Sequence, residues 1–174
     1  MFQQNGVFIS SFLNTYDLEV VRLGEIVVFK CGGSTINELS ERFFSNLLAL
    51  KKDGCKPIIV HGGGPEIKEM LMKLNIETEF VDGLRKTTEE VMDVVEMVLS
   101  GSVNNALVRK LNDAGLEAVG LSGSDHQLMT AKALDFERLG LVGEVESVNC
   151  SFLMQLLDLG IIPVIAPIAI GREG

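Results

Sequence analysis

The chain has 174 residues, a net charge of −9 at neutral pH and 47% hydrophobic residues. This length is enough for one domain with a buried core. The acidic balance argues against nucleic acid and acidic membranes as partners, because surfaces that bind polyanions are basic. No apolar run approaches the ~20 residues of a membrane span. Cys31, Cys55 and Cys150 suit neither a disulfide framework nor a zinc site, which favours a reducing, cytoplasmic location.

Residues 1–22 form an N-terminal extension that precedes the first clear strand. Within it, Phe12, Leu13, Tyr16 and Val20 are spaced roughly like one face of a helix. The alternative is a frayed leader, since chain termini commonly fray. Both interpretations remain open from the sequence.

The first strand–helix unit follows the extension. Residues 25–29 predict a strand, and residues 30–34 (KCGGS) form a glycine turn. The next helix has an apolar face made of Leu39, Phe43, Leu47 and Leu50. If this helix is a right-handed crossover, the strand lies parallel and adjacent to the strand predicted at residues 56–60.

The second unit ends its strand in residues 61–65 (HGGGP), which lead into a helix. The apolar face of that helix comprises Ile67, Met70, Leu71 and Leu74. Glycines let the backbone approach a ligand, and a helix N-terminus offers unpaired N–H groups to an anion. Both turns would open at the carboxyl edge of the sheet, with Lys30 pointing into the gap between them. A tight turn without a ligand and a solvated lysine are the alternatives.

The next segment predicts a hairpin followed by two helices. Asp82-Gly83 is a hairpin turn signal between residues 77–81 and Lys86. Residues 87–90 (TTEE) fit a capping box at the start of a helix. The buried face of this helix contains Val91, Val94, Val95 and Val98. Gly101 is expected to break it, and another helix ends near Gly115.

The last part of the chain continues the alternation of helices and strands. The predicted elements are a strand at 117–121, a β excursion at 128–133 and 142–148, a helix at 152–159 and a strand at 161–166. Alternation of this kind predicts one α/β fold, a three-layer αβα sandwich with a mainly parallel open sheet.

Six motifs in order carry a family resemblance. They are residues 29–34 (FKCGGS), 61–65 (HGGGP), 82–87 (DGLRKT), 99–104 (LSGSVN), 118–123 (AVGLSG) and 160–167 (GIIPVIAP). This ordered set resembles the amino-acid kinase family, and within it the members that phosphorylate N-acetyl-L-glutamate in arginine biosynthesis. The resemblance runs from about residue 25 to the C-terminus.

The resemblance implies transfer of a phosphoryl group from ATP, with Mg²⁺ accompanying the nucleotide, to the γ-carboxylate of N-acetyl-L-glutamate. It implies a catalytic role for Lys30, and no metal-ligand role for any residue. The substrate would be bound by Gly63, Gly64 and Arg85, and the phosphoryl group or nucleotide by Gly32, Gly33 and Gly62. Arg85 would grip the free α-carboxylate, although an exposed hairpin arginine is the alternative. His61 and His126 lack triad or metal spacing and are expected to be structural.

The resemblance also bears on domain organisation. Residues 23–174 match the amino-terminal, acyl-amino-acid-binding lobe, and the nucleotide lobe with its Asn-x-Asn-Ala-Asp motif is absent, so we expect an amino-terminal fragment that is inactive alone. Many relatives have lysine where this chain has Asn105, and Gly-Lys-Asp-Gly at residues 123–126 (GSDH). A homodimer is implied, or a higher oligomer through a helix in residues 1–22. The rival functions are another family activity, on carbamate, aspartate, glutamate or UMP, and a non-catalytic ligand-binding or subunit-interaction module.

Overall fold

The structure, a computed structural model, describes residues 18–33 and 39–171. Its central sheet consists of β1 (Leu18–Leu23), β2 (Ile26–Cys31), β3 (Lys56–His61), β6 (Ala118–Leu121) and β9 (Ile162–Ile165). The strand order is β1-β2-β3-β9-β6, and every pair is parallel except β1 with β2. The predicted adjacency of the first two strand–helix units is therefore confirmed, because β2 and β3 pair directly.

Helices cover both faces of this sheet. They are α1 (Glu41–Lys52), α2 (Gly64–Leu74), α3 (Glu89–Glu96), α4 (Asn104–Asp113), α5 (Phe136–Leu139) and α6 (Cys150–Asp158). One core contains Phe29 of β2 with side chains of α1 to α4, and a second contains Ile58 of β3 with Leu153 and Leu157 of α6. Along β2 and β3, successive side chains alternate between the two cores. The predicted three-layer sandwich is confirmed.

Two smaller sheets lie outside the central one. β4 (Phe80–Val81) and β5 (Leu84–Arg85) form a hairpin, with positive φ at Asp82 and Gly83, as a type I′ turn requires. The predicted hairpin is thus confirmed. β7 (Met129–Ala133), β8 (Gly143–Val148) and β10 (Ile170–Gly171) form a three-stranded sheet that confirms the predicted β excursion.

The described end of the N-terminal extension, from residue 18, differs from the helical prediction. Val20 lies in β1, opposite Phe29 of β2, and residues 18–23 pair antiparallel along the whole of β2. The helical interpretation is therefore wrong for this segment, because backbone pairing with a free sheet edge outweighs a weak apolar spacing. Phe12, Leu13 and Tyr16 lie outside the described residues. β1 also crosses the boundary drawn at residue 22.

The predicted helix break at Gly101 is wrong as well. α3, a π-helical turn at Met97–Val103 and α4 form one continuous helix, Glu89–Asp113. This helix is long and apolar enough by composition to cross a membrane, with a mean hydropathy of 1.2 over 18 residues. Its apolar side chains, however, include Val94, Val98 and Leu107, which are buried in the first core. Composition of this kind is shared by core helices of globular domains.

The start of this helix also corrects one local prediction. The N-cap is Thr88, whose side chain accepts a hydrogen bond from the Val91 N–H at 3.3 Å. A capping box needs Glu or Gln at the third helical position, and Val91 occupies it. Thr87 is buried instead, and its hydroxyl donates to the Arg85 carbonyl at 2.9 Å. The N-terminus of α3 therefore has the side-chain cap of Thr88 without the reciprocal contact of a capping box.

Candidate functional site

The two glycine turns pack against each other at the carboxyl edge of the sheet. The Gly62 N–H donates to the Cys31 carbonyl at 2.9 Å, which joins the ends of β3 and β2. A Cβ atom on Gly33 would lie 2.8 Å from both the Gly64 nitrogen and Pro65 Cδ. The structure therefore brings together Gly33 with Gly62, Gly63 and Gly64, and the contact is backbone to backbone because side chains would not fit.

The second turn runs directly into α2. Gly63 is the N-cap, and Pro65 occupies the first turn, where a missing N–H costs nothing. The first N–H groups of a helix have no intrahelical acceptor, and the helix dipole adds partial positive charge. A Cβ on Gly64 would meet nothing within 4 Å. The space beside the Gly64 Cα is thus open, and a helix N-terminus of this kind suits a small anion.

Lys30 stands beside the first turn. It is exposed, at the next-to-last position of β2, and it pairs in register with Val60 of β3. The neighbouring residues Phe29 and Cys31 face the first core and are fully buried. Strand alternation therefore directs Lys30 to the other face of the sheet, at the same carboxyl edge as the glycines.

Arg85 lies apart from the central sheet, on the β4–β5 hairpin. Its guanidinium carbon is 4.7 Å from the ring centroid of Phe80, within cation–π range. Its Nη1 atom is buried and has no hydrogen-bond partner among the described residues. Burial also lowers the pKa of Arg85 from its ordinary value. No hydrogen bond between described residues joins Arg85 to the glycine turns, so a ligand would have to bridge them.

The hairpin is held from its other side by the segment before β8. Arg138 Nη2 donates to Asp82 Oδ2 at 2.8 Å, at the tip of the hairpin. The backbone of Thr87 exchanges hydrogen bonds with Leu139 and Leu141, at 2.8 and 2.7 Å. These contacts fix the hairpin against α5 and the segment that leads to β8, and they fix the backbone near Arg85.

A buried polar pair, His61 and Asn104, lies directly behind the glycine turn, and sequence reasoning missed the partnership. The Asn104 amide nitrogen lies 3.0 Å from His61 Nε2 and donates to the Val164 carbonyl at 2.9 Å. His61 Nδ1 lies 2.8 Å from the Gly62 carbonyl. The two side chains are only 1% and 2% exposed. Burial is the main cause that lowers the pKa of His61, so the imidazole is neutral at pH 7.

The loop at residues 122–126 is closed by its own hydrogen bonds. The Ser122 N–H and hydroxyl both reach Asp125 Oδ2, at 2.6 and 3.0 Å, and the Gly123 N–H donates to the Ile168 carbonyl. His126 is exposed and its ring packs 4.7 Å from that of Phe152. This histidine is therefore placed at the surface, where it packs on an aromatic ring.

The described ranges contain no group of three His, Cys, Asp or Glu side chains arranged to hold a metal ion. Cys31 and Cys55 are buried free thiols, and Cys150 is exposed. Burial raises the pKa of Cys31 to about 12. A thiol that stays protonated is a poor nucleophile, so Cys31 acts as a small core residue.

A cavity of about 190 Å³ lies at the opposite, amino edge of the sheet, lined in part by Lys51 and Lys56. Lys56 Nζ lies 3.0 Å from Asp158 and 3.9 Å from Glu25, and Lys51 Nζ lies 3.8 Å from Glu117. Both lysines thus already have carboxylate partners. The carboxyl edge, with its open helix N-terminus, is the better anion site although the cavity is at the other end.

Comparison with known proteins agrees with the motifs. Residues 25–174 match the sequence model of the amino acid kinase family. The chain is 54% identical over 151 residues to an acetylglutamate kinase of Halalkalibacterium halodurans, covering 87% of this chain and 58% of that protein. It is 56% identical over 147 residues to an acetylglutamate kinase of Bacillus subtilis, covering 84% and 57%. The chain therefore spans somewhat more than half the length of the curated relatives it matches.

Solved structures share the fold. The crystal structure of smu.665 from Streptococcus mutans superposes with a TM-score of 0.84 at 30% identity, covering 87% of this chain and 62% of that one. An N-acetylglutamate synthase from Neisseria gonorrhoeae, in complex with coenzyme A and N-acetyl-glutamate, superposes with a TM-score of 0.66 at 16% identity. It covers 86% of this chain and 34% of that one, and at this identity the likeness concerns the fold alone.

Proposed function

The chain belongs to the amino acid kinase family, and from this premise we propose that it supplies the acceptor-binding part of an N-acetylglutamate kinase. The whole protein would transfer the γ-phosphoryl group of ATP to the γ-carboxylate of N-acetyl-L-glutamate, in arginine biosynthesis and in the cytoplasm. The specific choice of substrate is supported by relatives named acetylglutamate kinase at 54% and 56% identity.

One observation carries the proposal: two glycine turns from adjacent parallel strands meet at one sheet edge, next to an open helix N-terminus. Phosphoryl transfer to a carboxylate brings two anions together, and the enzyme must offset their repulsion. Backbone N–H groups offset this repulsion without charged side chains. An anion site of this kind is therefore compatible with a protein whose net charge is −9.

The residues have distinct roles in this proposal. The N–H groups of Gly63 and Gly64 hold the acceptor carboxylate, and the turn at Gly32 and Gly33, together with Gly62, accommodates the transferring phosphoryl group. Lys30 neutralises charge shared by donor and acceptor oxygens. A carboxylate is already ionised at neutral pH, so no general base is needed and alignment supplies most of the catalysis.

ATP is the co-substrate, and Mg²⁺ accompanies its phosphates. The described residues offer no metal cluster, so the proposal assigns no protein ligand to the ion. When bound, Mg²⁺ supplies charge neutralisation on the phosphate oxygens. Lys30 and the glycine N–H groups supply the part of that neutralisation that this chain contributes. We expect the 174-residue chain by itself to show no detectable ATP turnover, since it spans under 60% of these relatives.

Arg85 is assigned to the non-reacting α-carboxylate. Its buried Nη1 without a partner in the described part of the chain is an unfavourable arrangement that a carboxylate would relieve. Arg85→Ala should therefore raise the Kd of the chain for N-acetyl-L-glutamate at least about tenfold, measured by titration calorimetry. Arg85→Lys should rescue binding only in part, because an ammonium group cannot make the forked contact of a guanidinium.

Lys86 provides a matched control on the same hairpin. It is ion-paired with Glu79 at 2.7 Å, and Lys86→Ala removes one positive charge without touching the guanidinium. That variant should bind N-acetyl-L-glutamate like the parent chain. If Lys86→Ala weakened binding of N-acetyl-L-glutamate as much as Arg85→Ala does, the effect of Arg85 would be one of general charge. If Arg85→Ala left the Kd unchanged, Arg85 would be an ordinary hairpin residue.

The rivals are separated by a substrate panel on a full-length version of the protein. Phosphorylation of carbamate, aspartate, glutamate or UMP, without activity on N-acetyl-L-glutamate, would keep the family and discard the substrate. Ligand binding without turnover in the full-length version would favour a non-catalytic module. The proposed homodimer, or a higher oligomer formed through residues 1–22, is checked by sedimentation of the same material.

A further inference from the structure

His61 and Asn104 form a polar connection through an otherwise apolar core. Their neighbours in that core include Leu99, Val103 and Val164. Buried polar groups are expensive unless they are hydrogen-bonded, and here each ring nitrogen of the histidine has a polar neighbour. An amide NH₂ group only donates, so Nε2 accepts from Asn104 and the ring proton sits on Nδ1. His61 Nδ1 therefore donates to the Gly62 carbonyl.

The hydrogen bond from His61 to the Gly62 carbonyl orients a whole peptide unit as well as the oxygen atom. The carbonyl of Gly62 and the N–H of Gly63 belong to one planar peptide unit, and in a trans peptide they point in opposite directions. Every peptide bond that the structure describes is trans. By holding the Gly62 oxygen from the core side, His61 directs the Gly63 N–H away from the core. The Gly63 N–H, which is proposed to bind the acceptor carboxylate, is thus oriented by His61, although the His61 side chain does not itself reach the carboxylate.

The π-helical turn at Met97–Val103 places Asn104 in this position. An α-helix that buries Val98 would next bury residues 101 or 102 and then 105. Instead, Leu99 and Val103 are buried within the π turn, and Asn104 and Leu107 are buried after it. The wider turn moves the buried stripe along by about one residue, and π turns of this kind recur at functional sites.

The surroundings leave the pair little freedom. A Cβ on Gly120 would collide with Asn104 Oδ1, so the absence of a side chain at residue 120 makes room for the amide. A Cβ on Gly63 would lie 2.5 Å from Leu99 Cδ2 and 3.3 Å from Val103 Cγ2, so the π turn also packs on the glycine turn itself. The Asn105 side chain donates to the Gly101 carbonyl at 2.8 Å, within the π turn.

We propose that His61 and Asn104 are positioning residues, which orient the Gly62–Gly63 peptide so that its N–H meets the acceptor carboxylate. The inference rests on the proposed function for the identity of the acceptor. Asn104 acts through His61, and His61 acts through the Gly62 carbonyl. Neither side chain touches the substrate.

The test compares Asn104→Leu with Asn112→Leu in the 174-residue chain. Asn112 lies on the same helix, and its Oδ1 accepts from the Ala118 N–H at 3.0 Å, at the far end from the glycine turn. Both variants remove an asparagine that bonds to a strand backbone. In Asn104→Leu we expect the backbone amide chemical shifts of Gly63 to move, and the Kd for N-acetyl-L-glutamate to rise by at least about tenfold. Asn112→Leu should change neither.

Variants of His61 cover the case in which Asn104→Leu fails to fold. His61→Asn keeps an amide donor near the position of Nδ1, whereas His61→Leu has none. The Asn variant should recover part of the affinity that the Leu variant loses. Nitrogen NMR shifts of the parent imidazole should report a proton on Nδ1, and a proton on Nε2 would overturn the assignment.

The outcomes separate this inference from the proposed function. Failure of the parent chain to bind N-acetyl-L-glutamate would remove the substrate, and the amide chemical shifts of Gly63 would then decide the positioning role alone. An unchanged Gly63 amide in Asn104→Leu would overturn that role. So would a displaced Gly63 amide combined with parental affinity, because the pair would then be structural only.

Discussion

The two edges of the central sheet differ in the groups that they offer to an anion. At the amino edge, exposed Lys56 pairs with Asp158 and Glu25, and Lys51 pairs with Glu117. At the carboxyl edge, the glycine turns offer backbone N–H groups, and His61 and Asn104, which lie buried behind them, are uncharged. The cavity lies at the amino edge, and the open helix N-terminus lies at the carboxyl edge.

The difference shows that concavity and charge do not by themselves mark an anion site. A lysine that already has a carboxylate partner contributes little to a second anion, and exposed pairs are weak and screened by salt. Backbone donors at a helix N-terminus need no side-chain ordering, and at α2 they share the first turn with the carboxylate of Glu66. Three pairs of variants test this difference between the two edges.

The largest expected effect concerns one lysine from each edge. In a full-length version, Lys30→Ala should lower kcat on the order of 100-fold with a smaller change in KM, because the proposed role of Lys30 is to neutralise charge that develops in the transition state. Lys56→Ala should leave kcat unchanged, since its partners are Asp158 and Glu25 at the other edge. Steady-state kinetics with N-acetyl-L-glutamate and ATP measure both, and an unchanged kcat in Lys30→Ala would remove Lys30 from the mechanism.

An intermediate effect concerns the packing of the glycine turns. Gly33→Ala places a Cβ 2.8 Å from the Gly64 nitrogen, so the two turns must separate, at a cost of about 1–3 kcal/mol in unfolding free energy. Gly64→Ala adds the same atom to open space and should be close to neutral for stability. Denaturant unfolding of the two variants decides the matter. Equal destabilisation would mean that the turns are not in contact.

The smallest expected effect is a dependence of stability on pH. Burial lowers the pKa of folded His61, so below the unfolded value of about 6.5 the unfolded chain binds the extra proton and the folded chain does not. The unfolding free energy should therefore fall as pH drops from 7.5 to 5.5, with a slope of at most about 1.4 kcal/mol per pH unit.

His61→Asn should flatten that slope, because the titrating group is gone. His126→Asn leaves His61 in place and serves as the control, which should keep the slope. Denaturant unfolding across the same pH range is the measurement. A slope that survives in His61→Asn would assign the pH dependence to other groups.

Much of the architecture was predictable because it is written in short-range patterns. The glycine turns after β2 and β3, the hairpin at Asp82-Gly83 and the β excursion all depend on residues close together in sequence. A hydrophobic period of two residues in a strand, or of 3.6 residues in a helix, indicates which side of that element is apolar. The ordered motifs then indicated the family, which the match over residues 25–174 established.

The two larger errors arose where local patterns were outweighed. In one the partner is distant in sequence, and in the other the whole helix packs on the core. Val20 reads as part of a helical face, yet the open edge of β2 pairs it with Phe29. Gly101 reads as a helix end, yet packing of the helix on the core carries the backbone through as a π turn. Local propensity is worth about 1 kcal/mol per residue, and burial of a whole helix face exceeds it.

The candidate site divides along the same line. The two glycine turns, Lys30 beside the first of them and Arg85 after the hairpin turn could be found from local motifs. The contact between His61 and Asn104, 43 residues away, and the room that Gly120 leaves for the amide emerge from the folded structure. Hydrogen bonds of this kind need two elements docked at a fixed register, and no local pattern encodes the register between them.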